Sequence, residues 1–245
     1  MYLHLFKSAS CQVPVLPPGA PLARKYDFIY FVQQWQISTC YIKSCLKPAR
    51  AVFSIDGLWP SSYSRKTPSN CCAGSNFVPQ KISDLTGRLN LEWPSLLLED
   101  NYELWKDEWE NHGSCYQDIL PQHAFFKAAL ELKEKYVLVD MLAEKDIYPY
   151  GEIYKVDSIT DAIRTATGHN PQIQCDLYKK IPLLSQIFLC FDYNATSIID
   201  CPLKKRCHHD EIMIPFSTWF SKEQARERKW ERKKTLVPQF ANLGK

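Results

Sequence analysis

Apolar and polar positions follow no single period along this chain, but several stretches carry a readable one. Tyr26 to Trp35 is dense in aromatic and β-branched residues, the composition of a strand. Ala51 to Ile55 predicts a second strand, running into Gly57. Pro68 to Gly74 has the punctuation of a loop. Leu91 to Leu98 and Tyr102 to His112 read as helices. A longer helix is predicted over Gln122 to Leu138, where Phe125, Phe126, Ala129, Leu130, Leu132 and Tyr136 recur near the 3.6 period and define a core face. Ser158 followed by Asp161 resembles a capping box with Asp in place of Glu. It would open a helix to about Thr167, with Gly168 just past its end. Gln186 to Tyr193 and Glu211 to Pro215 read as late strands. Helices and strands mixed without regular βαβ alternation, and without an internal repeat, predict an α+β fold.

The rest of the chain sets the domain limits. Residues 1–25 have a short apolar start, then Lys7 and prolines at 14, 17 and 18, and read as a leader or disordered N-terminus. Residues 26–220 form the expected domain. Residues 221–245 form a basic tail, in which the stretch from Lys222 holds eight Lys or Arg against three Glu. Trp230 is the only large apolar anchor of its 222–234 segment, so the segment reads as an exposed basic helix. It is either a solvated tail or a weak arm for anions or RNA.

Composition narrows the classes. With 45% hydrophobic residues and seven Trp among 245 residues, the chain can bury a sizeable core. No apolar run reaches the roughly 18–20 residues needed to cross a bilayer, so no membrane partner is expected. The net charge of +3 comes from the C-terminal tail, leaving the remainder near −2. A body without a basic surplus argues against tight nucleic-acid binding. Ten cysteines without a Cys-x-x-Cys pair favour an oxidising compartment over zinc or redox chemistry. His208 and His209 follow Cys207, but the spacing suits disulfides better than a metal, and neither metal nor cofactor is expected. His4, His123 and His169 read as surface or structural. The sequon Asn194-Ala195-Thr196 marks Asn194 as a glycosylation acceptor and agrees with a secreted, vacuolar or other endomembrane location. The N-terminus lacks a convincing signal peptide. Either a leader is missing or replaced, or the protein is not exported, and the cysteines fit the first better. The expected state is a monomer.

Two stretches carry the chemistry: Phe53-Ser54-Ile55-Asp56-Gly57-Leu58-Trp59-Pro60 and Trp105-Lys106-Asp107-Glu108-Trp109-Glu110-Asn111-His112-Gly113-Ser114-Cys115. They resemble the two active-site signatures of the ribonuclease T2 family, written F-[ST]-I-H-G-L-W-P and W-x-H-E-W-x-K-H-G-[TS]-C. Further likeness to plant S-like members lies in Tyr26-Asp27-Phe28, Phe31-Val32-Gln33-Gln34-Trp35, Pro68-Ser69-Asn70-Cys71, Lys81-Ile82-Ser83-Asp84-Leu85 and His123-Ala124-Phe125-Phe126-Lys127-Ala128-Ala129-Leu130. The resemblance runs from about Tyr26 to Trp219. It implies an antiparallel sheet surrounded by helices, and disulfides Cys40–Cys45, Cys71–Cys115, Cys175–Cys207 and Cys190–Cys201, with Cys11 and Cys72 left over.

The reaction implied is metal-free endonucleolytic cleavage of single-stranded RNA through a 2′,3′-cyclic phosphate. A base takes the ribose 2′-proton, an acid protonates the leaving 5′-oxygen, and cationic donors stabilise charge at phosphorus. The resemblance makes His112 the base and Glu108 its assistant. It puts Asp56 where the family has a catalytic His, Asp107 where it has a phosphate-binding His, and Asn111 where it has Lys. On one helix, Glu108 and His112 share a row, and Asp107 and Asn111 the next, so all four are expected to look into one cleft. Glu108 and the helix dipole should favour protonated His112. Asp56, at an ordinary carboxyl pKa of about 3.9, would be ionised at pH 7 and have no proton to give. Gln34 matches a base-contacting residue and Leu104 an aromatic stacking position, though ordinary packing would account for either. Trp59, Trp105 and Trp109 read as core. Two readings follow. One is a divergent ribonuclease with weak activity favoured at acidic pH. The other, favoured by the site chemistry, is a non-catalytic storage, defence or RNA-binding relative.

Overall fold

A computed structural model of the chain describes residues 26–63, 75–202 and 206–216. Cys71, the expected Pro68–Gly74 loop, the leader and the basic tail lie outside the described residues. Strand β1 (Phe28–Trp35) pairs antiparallel with β2 (Phe53–Ser61) on one side and β5 (Ile181–Phe191) on the other. The opposite edge of β5 carries β4 (Gln172–Tyr178) and the two-residue β6 (Ile198–Ile199). Beyond β5 lie β7 (Glu211–Ile214) and β3 (Glu152–Lys155), giving the order β2-β1-β5-β7-β3. The pairing departs from the expected antiparallel pattern at one place, where β5 and β7 run parallel at Leu183–Met213. The fold is α+β, as expected, with a mixed sheet.

The aromatic run of β1 has a simple cause. Successive side chains point to opposite faces, and both faces of this strand are covered. Ile29, Phe31 and Trp35 enter the main core with Trp105, Trp109, Phe125 and Phe126. Phe28, Tyr30 and Val32 form a smaller cluster on the other face with Phe188, Cys190 and Cys201, against which Trp59 packs. That second face carries the candidate site.

The helices cover the first face. They are α1 (Gln36–Ile42), α2 (Thr86–Glu92), α3 (Asn101–Asn111), α4 (Gln122–Lys135), α5 (Leu138–Ala143) and α6 (Val156–Thr167). The predicted face of α4 is buried, but this helix stops at Lys135, and Leu138 begins α5. The helix expected over Leu91–Leu98 is absent. The observed α2 ends at Glu92, because Pro94 biases Trp93 away from helical backbone (φ −132°, ψ 53°). The predicted capping box also fails. The N-cap of α6 is Lys155, without a side-chain cap, and Ser158 lies inside the helix. Gly168 does end it, in the left-handed region at φ 79°.

Disulfides Cys40–Cys45, Cys175–Cys207 and Cys190–Cys201 staple the described chain. Cys115 is also disulfide-bonded. No described helix is long and apolar enough to cross a membrane.

Candidate active site

Helix α3 opens with Asp100, whose carboxylate caps the Tyr102 N–H at 2.9 Å. Trp105 and Trp109, four apart, fix its rotation by entering the main core. Their indole N–H groups donate to Trp93 O (2.9 Å) and Ser75 O (2.7 Å). At about 100° per residue, Glu108 and His112 flank that buried row, Asn111 turns further out, and Asp107 points furthest from the core. Exposure follows this order: Glu108, Asn111 and His112 are half-buried, and Asp107 is exposed. Glu108 and His112 lie against Trp59, while Asp107 is exposed yet near enough to Glu108 to repel it.

Asp56 arrives from the sheet. Val32 pairs with Gly57 and Gln33 with Ile55, so Asp56 is the extra residue of a β-bulge. Bulges re-aim side chains, and this one directs the Asp56 carboxyl to Gln186 on β5, whose Nε2 donates to Oδ2. Gln186 lies between Gln34 on β1 and Gln174 on β4 in a row across three strands. Gln34 is buried in this row and accepts a hydrogen bond from Thr39 Oγ1 at 2.8 Å. Leu104 is half-buried and packs against the main core.

Trp59 joins the two halves. Its Nε1 donates to Glu108 Oε2 at 2.9 Å, and its ring lies 5.5 Å from the His112 imidazole. Trp59 is half-buried against the smaller core cluster, and Trp105 and Trp109 are fully buried, in line with the reading of all three as core. Gly57 permits the junction, since a Cβ there would overlap the Trp59 indole and meet Glu108 Oε2 at 2.8 Å.

The electrostatics follow from this packing. Burial pushes the Asp56 carboxyl up to about 6, against the opposing pull of Lys43 and the Gln186 hydrogen bond. Asp56 thus departs from the ordinary carboxyl pKa expected of it. Burial also raises Glu108 well above the usual range. Repulsion from Asp56 and Asp107 adds to this, and the Trp59 bond opposes it. Asp107 is raised by partial burial and by Glu103 and Glu110. Two crowded carboxyls resist ionising together, so this cluster holds a proton at a pH where free carboxylates do not. Sequence reasoning missed Gln186 and Lys43, because only the sheet register and the disulfide-bridged turn after α1 bring them near Asp56.

The Ribonuclease T2 family profile matches residues 26–201. The chain belongs to the ribonuclease T2 family. It is 40% identical over 190 residues to "Extracellular ribonuclease LE" of Solanum lycopersicum, covering 74% of this chain and 83% of that protein. It is 38% identical to "Ribonuclease 1" of Arabidopsis thaliana, covering 78% and 86%. "Intracellular ribonuclease LX" of Solanum lycopersicum is a further relative at 39%. Among solved structures, ribonuclease MC1 from bitter gourd seeds superposes with a TM-score of 0.72 at 31% identity, over 76% of this chain and 99% of that one. RNase NT in complex with 5′-AMP superposes at 0.71 and 36%, over 79% and 99%.

Proposed function

We propose that this protein binds single-stranded RNA and cleaves it by the family's metal-free route, weakly at neutral pH and better toward acid. The observation that carries this reading is the bulged Asp56 carboxyl, held by Gln186 beside Glu108 and shifted to about 6. A carboxyl of that kind keeps part of its population protonated near pH 6 and nearly all of it at pH 4–5. Protonated Asp56 donates to the leaving 5′-oxygen. His112 takes the 2′-proton, with Glu108, fixed by Trp59, at its side. The weakness has two sources. Above pH 6 Asp56 becomes an anion facing phosphate, and neither Asp107 nor Asn111 supplies a cation. A missing general acid costs on the order of 10²–10⁴ and a missing charge stabiliser on the order of 10²–10³.

The test is an RNA-cleavage assay from pH 4 to 8 with chelator present. The expected result is 2′,3′-cyclic phosphate ends, little turnover at pH 7, and a rise as pH drops through about 6. Absence of cleavage at every pH would favour the non-catalytic reading, a storage, defence or RNA-binding relative, for which the charges of Asp56 and Asp107 speak. The disulfides support a secreted or endomembrane location. Asn194 is exposed in a turn fixed by Asp192, a suitable place for a glycan.

A further inference from the structure

Beside the Asp56–Glu108–His112 cluster, the same face of the sheet carries a guanidinium that the reaction above does not use. The Arg206 guanidinium carbon lies 4.1 Å from the ring centre of Phe188 and 5.1 Å from that of Tyr30. Its Nε donates to Gln172 Oε1 at 2.8 Å, and the Gln172 amide donates in turn to Pro202 O. The next residue, Cys207, is bonded to Cys175 of β4, which anchors the backbone. Arg206 is half-buried. Among the described residues no carboxylate pairs with it, and its Nη groups have no hydrogen-bond partner.

A cation stacked on two rings and pinned through Nε has lost most of its rotamer freedom, yet its outer fork stays open. A guanidinium fork matches two phosphate oxygens at once, and pre-organisation lowers the entropy lost on binding. Its position indicates which phosphate. The Phe188 ring lies 6.0 Å from Trp59, which touches Glu108 and His112. Gln186, two residues from Phe188 on β5, holds Asp56. The cation opposing the Asp56 shift is Lys43, not Arg206. Arg206 therefore flanks the reacting cluster and does not enter it.

We propose that Arg206 is a phosphate subsite, taking a phosphodiester of single-stranded RNA next to the scissile one. The proposal rests on the RNA reading given above. In a body with little basic surplus, this subsite would supply the strand affinity that Asp107 and Asn111 do not.

The test compares wild type, Arg206→Ala and Arg206→Lys for binding to 2′-O-methyl oligouridylates, which cannot be cleaved, by fluorescence anisotropy across a salt series. The probes are a dinucleotide, with one internucleotide phosphate, and a hexanucleotide. Arg206→Ala should weaken the hexanucleotide about tenfold, leave the dinucleotide within about twofold, and reduce the salt slope by about 0.7, the value for one phosphate on a single strand. Arg206→Lys should recover part of the loss. If Arg206→Ala lowers the melting temperature, Arg206→Gln replaces it, since its stem still covers Phe188. Equal losses on both probes, or no loss on either, would overturn the subsite and leave the RNA reading standing. A wild-type protein that binds neither probe at low salt would overturn both.

Discussion

Asp56 shows how one residue can couple activity and stability. An unfolded Asp titrates near 3.9, whereas the folded Asp56 titrates near 6. Between those values the folded chain binds more protons, so stability falls as pH rises from about 4 to 6 and stays lower above that. Asp56→Asn should remove this fall while keeping an acceptor for Gln186. It should stabilise the protein at pH 7 by about 1–2 kcal/mol, the rise to about 6 discounted for partial exposure, and hardly at all at pH 4. Urea melts at the two pH values measure the difference. The same substitution should abolish the acid-side rise in cleavage. Replacement in the other direction tests the missing cations. Asp56→His should recover part of the neutral-pH rate, and the triple change Asp56→His, Asp107→His, Asn111→Lys more. A span of about a thousandfold from parent to triple variant at pH 7 is expected for a restored acid and cation. Single-turnover cleavage would rank them as triple above single above parent. A folded but inactive triple variant would place the defect elsewhere in the cleft.

Among the elements, β2 and α3 make the site by two separate devices. The bulge in β2 turns Asp56 toward β5, and the Trp105–Trp109 row sets the rotation of α3 so that Glu108 and His112 meet Trp59. Gly57 leaves the space that the Trp59 indole and the Glu108 carboxyl fill. Gly57→Ala should force the indole aside, break the Trp59–Glu108 bond and cost about 1–3 kcal/mol, the usual range for overpacking. Near-ultraviolet circular dichroism and the melting temperature read both effects. A variant with unchanged stability and an unchanged tryptophan signal would mean that β2 and α3 are looser than their contact indicates.

For the whole molecule, the disulfides decide how firmly the late strands sit. Cys175–Cys207 joins residues 32 apart and holds β4 to the segment leading into β7. Replacing both with Ser should cost about 2–4 kcal/mol, seen as a lower denaturation midpoint. Because Arg206 precedes Cys207, hexanucleotide affinity should drop with it. Equal affinity in the folded double variant would show that Gln172 and Phe188 hold the guanidinium without the bond.

The α+β class, strand β1, the core face of α4 and the end of α6 at Gly168 were all legible in the sequence, because each rests on a local signal: β-branched and aromatic density, the 3.6 period, or a glycine free to take positive φ. The two signatures also sufficed to name the family. Local signals failed where the decisive neighbour was distant. Strand β4 went unread although Gln172 to Leu177 alternate polar and apolar residues, because six residues of alternation do not show which edge will pair with them, and here it is β5. Trp59 packs against the smaller core cluster, but its hydrogen bond to Glu108, 49 residues away, was not legible. Asp56 looked like an ordinary carboxylate, but its proton affinity depends on burial, on Lys43 from the turn after α1 and on Gln186, 130 residues away. Sequence alone fixes which groups are present and the period on which they recur. Desolvation and the distances between charges exist only once the sheet register and the rotation of α3 are set, so the tertiary structure decides when those groups hold their protons.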